Sequence, residues 1–203
     1  MNATSRSRIS RDAVDASDRA LARRRLRARR AALTAGERAA GDARIAVALE
    51  ALLAAISPRV LAAYWPMRDE PDLRDCLGAW AARGIVVALP RVAAPGAALA
   101  FGRWTPGVGM VAGAHGTREP RPFEEVVPDT LLLPCVGFDA RGFRLGYGGG
   151  YYDRTLASLA GACAVGVAYD ACEMTGFDAG PHERPLDWVV TDRRSWPRPA
   201  PTR

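Results

Sequence analysis

The chain of 203 residues is 49% hydrophobic and carries a formal charge of +6 at pH 7, enough apolar material to bury one substantial core without disulfide or metal staples. It has no apolar run near the roughly 18–20 residues that cross a bilayer, and Met1 to Arg6 lack the apolar stretch of a secretory signal, so a soluble, cytoplasmic protein is expected. The charge is local: residues 1–44 hold 12 arginines against 5 acids, a net +7, which leaves about −1 for everything after them.

Residues 1–16 are polar and aperiodic and are expected to be a disordered tail. From Ser17, Asp18 to Leu33 reads as a short Arg-rich helix. Thr34-Ala35-Gly36-Glu37 has the form of a capping box and predicts a fresh helix to about Ile56, with Ile45, Leu49, Leu52 and Leu53 on its apolar stripe. Val60 to Trp65 is a buried strand, Leu73 to Arg83 a helix, and Ile85 to Leu89 a second strand. That order predicts a parallel βαβ unit. Residues 91–128 are rich in Gly and Pro and read as mostly irregular, with a strand near Leu99–Arg103. Thr130 to Leu133 is a third buried strand, Tyr151 to Leu159 a helix, and Ala164–Tyr169 and Asp187–Thr191 two further strands. Residues 17–192 then form one α/β domain, a mainly parallel, doubly wound sheet with helices on both faces in Rossmann-like layers. The Arg/Pro-rich segment 193–203 is expected to fray.

Cys76, Cys135, Cys163 and Cys172 form no Cys-x-x-Cys pair and are expected as buried small hydrophobes. Chemistry concentrates instead in Gly146 to Gly150, between a strand and a helix. Glycines there let backbone approach a phosphate, with free N–H groups at the next helix start. Arg144 offers a planar cation for phosphate oxygens, and Asp153, in the first helical turn, could ligate Mg²⁺. A plain tight turn, with Asp153 favoured only by the helix dipole, fits the spacing equally well. Neither G-x-x-x-x-G-K-[ST] nor G-x-G-x-x-G is present.

The run Phe138-Asp139 through Arg144-Leu145-Gly146-Tyr147-Gly148-Gly149-Gly150-Tyr151-Tyr152-Asp153-Arg154 resembles the glycine-rich block of the 5-formyltetrahydrofolate cyclo-ligases, the methenyltetrahydrofolate synthetases. Tyr64 to Glu70, Leu89-Pro90-Arg91, Glu119-Pro120 and His182 to Thr191 follow the family's order, so the likeness spans roughly residues 18–192. It implies an ATP-using ligase. ATP would phosphorylate the formyl oxygen of 5-formyltetrahydrofolate to an iminium phosphate; attack by N10 would then give 5,10-methenyltetrahydrofolate, with ADP and phosphate released. By resemblance, Arg19 and Arg23, together with Arg144 and Gly146 through Tyr152, would bind ATP. Arg144 and Asp153 would be catalytic, and Asp153 and Glu183 would hold Mg²⁺, Glu183 standing where the family has aspartate. Glu70 would bind the pterin ring, and Tyr64, Trp65, His115 and Tyr152 would pack the folate, one of Tyr64 and Trp65 belonging instead to ordinary core. The partner implied is a folate substrate, with or without a polyglutamate tail, and the protein is expected as a monomer without membrane or nucleic-acid partners.

Two other readings stay open on sequence. A domain of this kind could have lost catalysis and bind RNA or another polyanion through Arg23 to Arg30, although that segment lacks the aromatics of single-strand binders. A different enzyme on the same sheet, acting on a sugar phosphate or a coenzyme A thioester, would leave the first-helix arginines and Glu70 without a task.

Overall fold

The computed structural model describes residues 11–175 and 183–198. Helix α1 runs Arg11–Ala31, so it starts before the expected Asp18, and residues 11–16 are helical rather than irregular. The expected disorder of residues 1–10 lies outside the described residues. Helix α2, Ala35–Ile56, begins where the capping box places it: the Thr34 side chain accepts from the Glu37 N–H, and Glu37 reaches back to the Thr34 N–H.

Strand β1 (Val60–Ala62), helix α3 (Arg74–Ala82) and strand β2 (Val86–Val92) form the expected parallel βαβ unit, with Val60 opposite Val86. Strand β3 (Leu99–Arg103) pairs antiparallel with β2. The segment expected to be irregular holds a hairpin of β4 (Gly109–Ala112) and β5 (Arg118–Arg121). Four residues per strand and Pro120 within one of them give it little alternating pattern to read. Strand β6 (Thr130–Pro134) leads into a two-residue hairpin of β7 (Gly137–Phe138) and β8 (Arg144–Leu145), then helix α4 (Tyr151–Ser158). Strands β9 (Cys163–Val167) and β10 (Trp188–Val190) follow. Strand β11 (Ser195–Pro197) pairs antiparallel with β10, so the tail does not fray from residue 193. Residues 199–203 lie outside the described residues.

The seven-stranded sheet has the order β11-β10-β9-β6-β1-β2-β3, parallel inside and antiparallel at both edges. Successive strand residues face opposite ways and divide the core in two. Leu61, Val87, Leu89, Leu132 and Val165 pack with Ile45, Leu49 and Leu77 of α2 and α3. Ala62, Ala88, Leu131, Leu133 and Ala164 face Leu156 of α4 and Leu186. The second face carries mostly small residues, which lets covering chain approach closely: a Cβ on Gly166 would lie 2.3 Å from Leu186 Cδ1. Among the described residues no helix is long and apolar enough to cross a membrane.

Candidate functional site

The strand order reverses between β1 and β6, the point at which open parallel sheets leave a crevice beyond the carboxyl ends of their strands. A cavity of about 660 Å³ occupies that place, within the range of small-molecule sites. Tyr64 and Trp65 enter it just past β1, and Pro134 closes the end of β6. Every residue singled out from the sequence for catalysis, nucleotide, metal or folate lines it.

One end is cationic. Helix α1 docks across the strand ends through Leu26, which is buried against Val136 and Leu145. This seats Arg19 and Arg23, one turn apart, toward the cavity. Arg23 Nε donates to the Gly146 carbonyl at 2.8 Å, and its Cζ would lie 3.3 Å from a Cβ on Gly148, where φ is +96°. The absent side chain is what admits the guanidinium. Burial, together with the neighbouring Arg19 charge, lowers the Arg23 pKa, and Glu183 offsets part of that. Two neighbouring half-buried cations, only partly offset by Glu183, make a place that favours added negative charge.

Arg144 is aimed by the β7–β8 hairpin. Asp139, only 1% exposed, accepts from the Arg141 and Phe143 N–H groups and from Arg141 Nε, which fixes the turn. Arg144 itself is buried and donates to Asp153 Oδ1 at 2.5 Å and to the Arg184 carbonyl at 3.3 Å. Arg19 forms a two-pronged pair with Glu183, at 2.7 and 2.9 Å. Each carboxylate expected at a metal is thus held by an arginine expected at phosphate. Gly150, φ +65°, is the N-cap of helix α4 and offers no side-chain cap. The first turn of α4 carries Asp153.

The other end is aromatic and holds one acid. Glu70, 5% exposed, accepts from Tyr147 Oη at 2.5 Å and from the Met67 N–H at 2.8 Å. Tyr64 is core with one edge on the cavity, its hydroxyl donating to the Pro71 carbonyl, whereas Trp65 is only partly buried, with the Arg74 guanidinium 5.8 Å from its ring. Tyr152 packs against the second core face, and burial pushes its hydroxyl pKa well up. His115, with φ +57°, sits in the turn of the β4–β5 hairpin and shares a 3.2 Å hydrogen bond with Tyr151 Oη.

Sequence reasoning assigned Arg30 and Asp139 no role at this site and Tyr147 a different one. Tyr147 was expected only as part of the nucleotide loop, yet its side chain turns to Glu70. Arg30, two turns past Arg23 on the same face of α1, donates to Tyr147 Oη at 2.9 Å. Its signal was the i, i+7 spacing, obscured by the surrounding arginines. Asp139 stood in the glycine block without an assigned task.

Among the described residues no group of three or more His, Cys, Asp or Glu could cage a metal. Mg²⁺ commonly relies on one or two carboxylates plus substrate phosphates, and Asp153 and Glu183, both on the cavity wall, fit that mode.

A model of the 5-formyltetrahydrofolate cyclo-ligase family matches residues 15–192. A 5-formyltetrahydrofolate cyclo-ligase of Mycolicibacterium smegmatis is 36% identical over 150 residues, 68% of this chain and 76% of that protein. The enzyme of that name from Escherichia coli K12 is 40% identical over 70 residues, 34% of this chain and 38% of its own length. The NMR structure of the Aquifex aeolicus 5,10-methenyltetrahydrofolate synthetase superposes with a TM-score of 0.79 at 26% identity, covering 91% of this chain and 95% of that one.

Proposed function

The chain belongs to the 5-formyltetrahydrofolate cyclo-ligase family, and from that premise we propose that it converts 5-formyltetrahydrofolate to 5,10-methenyltetrahydrofolate at the expense of ATP. The observation that carries the reading is one cavity lined by two unlike sets of groups: arginines with a glycine loop, and Glu70 among aromatics. A triphosphate suits the first and a pterin the second, so the terminal phosphorus and the formyl group would meet between them.

An amide oxygen is a poor leaving group, and phosphorylation turns it into a good one. In the proposed reaction the formyl oxygen forms a bond to the terminal phosphorus as the bond to ADP breaks. N10 then attacks the formyl carbon and loses its proton, and the carbon–oxygen bond breaks to release phosphate. Such transfers rely on positioning and charge more than on covalent help from protein. Arg144, fixed by the Asp139 turn, would face the transferring group, and Arg19 and Arg23 would take the other phosphate oxygens. Glycines 146, 148, 149 and 150 keep side chains out of the path. Magnesium, held by Asp153 and Glu183, would neutralise charge on the phosphates.

This sequence of bonds has a direct test. With the formyl oxygen isotopically labelled, the label should appear in the released phosphate. Label retained in water or in folate would rule the phosphorylated intermediate out.

A further inference from the structure

We infer that Arg30 and Tyr147 are positioning residues for the folate half of the site, fixing the Glu70 carboxylate through an Arg30–Tyr147–Glu70 relay. The inference rests on the cyclo-ligase reading and adds to it two side chains and a task. Tyr147 lies in the glycine loop, but its side chain serves neither the loop nor the arginines at the phosphate end. Its hydroxyl donates to Glu70 Oε1 at 2.5 Å and accepts from Arg30 Nη2 at 2.9 Å. Tyr147 is 41% exposed, but its hydroxyl is turned inward, where desolvation and then the Glu70 charge raise its pKa, so it remains a donor. The Arg30 and Arg27 guanidinium carbons each lie 6.0 Å from the Tyr147 ring centre.

Arg30 is the unusual member. It is 4% exposed and does not line the cavity. Its Nε and Nη1 are buried without a hydrogen-bond partner among the described residues, while Nη2 also reaches the Arg68 carbonyl at 3.4 Å. Burying a guanidinium with two unmatched donor nitrogens is unfavourable, so its placement needs a compensating charge. Burial lowers its pKa, and the Tyr147 hydrogen bond with the nearby Glu70 charge more than offsets that. A solvated surface arginine or a phosphate contact would show neither feature.

The consequence falls on Glu70. One oxygen is fixed by Tyr147 and the other by the Met67 N–H at 2.8 Å. The lone pairs left over point a carboxylate of set orientation at the cavity, offering acceptors only. That arrangement selects a planar ring edge with neighbouring N–H donors, the amino and amide edge of a pterin. Helix α1 also grips the glycine loop at consecutive residues, Arg23 on the Gly146 carbonyl and Arg30 on Tyr147.

Steady-state kinetics with 5-formyltetrahydrofolate and magnesium ATP test the relay. Tyr147→Phe should raise the folate KM roughly tenfold and leave the ATP KM within about twofold, because the lost hydrogen bond is to a charged group. Arg30→Met should act in the same direction, and Arg30→Lys should recover part of the loss. On a Glu70→Gln background Tyr147→Phe should add little, since partners in one network are not additive. An unchanged folate KM in Tyr147→Phe, equal shifts in both KM values with a lowered melting temperature, or full additivity with Glu70→Gln would each overturn the relay. A wild-type protein that does not turn over 5-formyltetrahydrofolate would overturn the cyclo-ligase reading instead.

Discussion

Both carboxylates at the cationic end of the cavity are neutralised before any ligand arrives, Asp153 by Arg144 and Glu183 by Arg19. Arg144 is the more buried partner, its side chain 6% exposed against 33% for Asp153. A buried guanidinium stripped of its counter-charge is costly. In the proposed reaction a magnesium nucleotide would relieve that cost: its phosphate oxygens would take the place of the carboxylates at the arginines, and Asp153 and Glu183 would hold the metal. Asp153→Asn separates charge from geometry, because the amide oxygen still accepts from Arg144. Turnover should fall about a hundredfold or more, and the melting temperature should fall too, because Arg144 keeps a hydrogen bond but loses its counter-charge. Near-normal turnover in that variant would remove Asp153 from the metal site. That Arg19 and Arg23 reach one cavity was legible in the sequence because i, i+4 spacing puts them on one helical face, and the place of Asp153 because it falls in the first turn of the helix after the glycine loop. The direction of Tyr147 was not, since a glycine-rich loop imposes no periodicity on side chains, and Arg30 was hidden among Arg24, Arg25, Arg27 and Arg29.

Helix boundaries followed local chemistry where that chemistry was strong. The start of α2 was readable because Thr34 and Glu37 satisfy each other's backbone donors. Thr34→Ala should cost about 1 kcal/mol in denaturant unfolding; no measurable loss would mean that tertiary packing alone sets this helix start. The Thr34 N–H and then its hydroxyl lower the Glu37 pKa. A depressed acid contributes its stability above its unfolded pKa, and the contribution is lost as pH falls through the folded value. The Thr34→Ala difference should therefore be present at neutral pH and shrink in acid. The start of α1 at Arg11 was not readable, because Ser17 offered a cap closer to the arginines and Arg11 to Ala16 carry no apolar stripe. Strand β11 was missed for a related reason. Ser195-Trp196-Pro197 has no pattern of its own, and its pairing with β10, together with the contact of Trp196 with Phe138, comes from tertiary structure.

At the scale of the molecule, the layered α/β architecture was legible because its strands are near-continuous apolar runs, and Leu131-Leu132-Leu133 divides between the two core faces as alternation requires. The cysteines belong to the same account. All four are free thiols; Cys135 and Cys172 are fully buried, whereas Cys76 and Cys163 are only partly so, short of the burial expected for them. Burial pushes Cys135 up to about 12 and Cys76, Cys163 and Cys172 to about 11. At pH 8 only roughly one thiol in a thousand would be thiolate even at the most reactive position, so alkylation of the native protein should be slow and accelerate on unfolding. A rapidly labelled native cysteine would contradict that burial.

The account turns on one cavity serving a triphosphate and a folate together, and the most direct measurement is near-UV absorbance of 5,10-methenyltetrahydrofolate formed by the purified protein. The predicted result is formation from 5-formyltetrahydrofolate only when ATP and Mg²⁺ are both present, with ADP produced in equal amount. Formation that is indifferent to ATP, or no formation by a folded protein under saturating substrates, would contradict it.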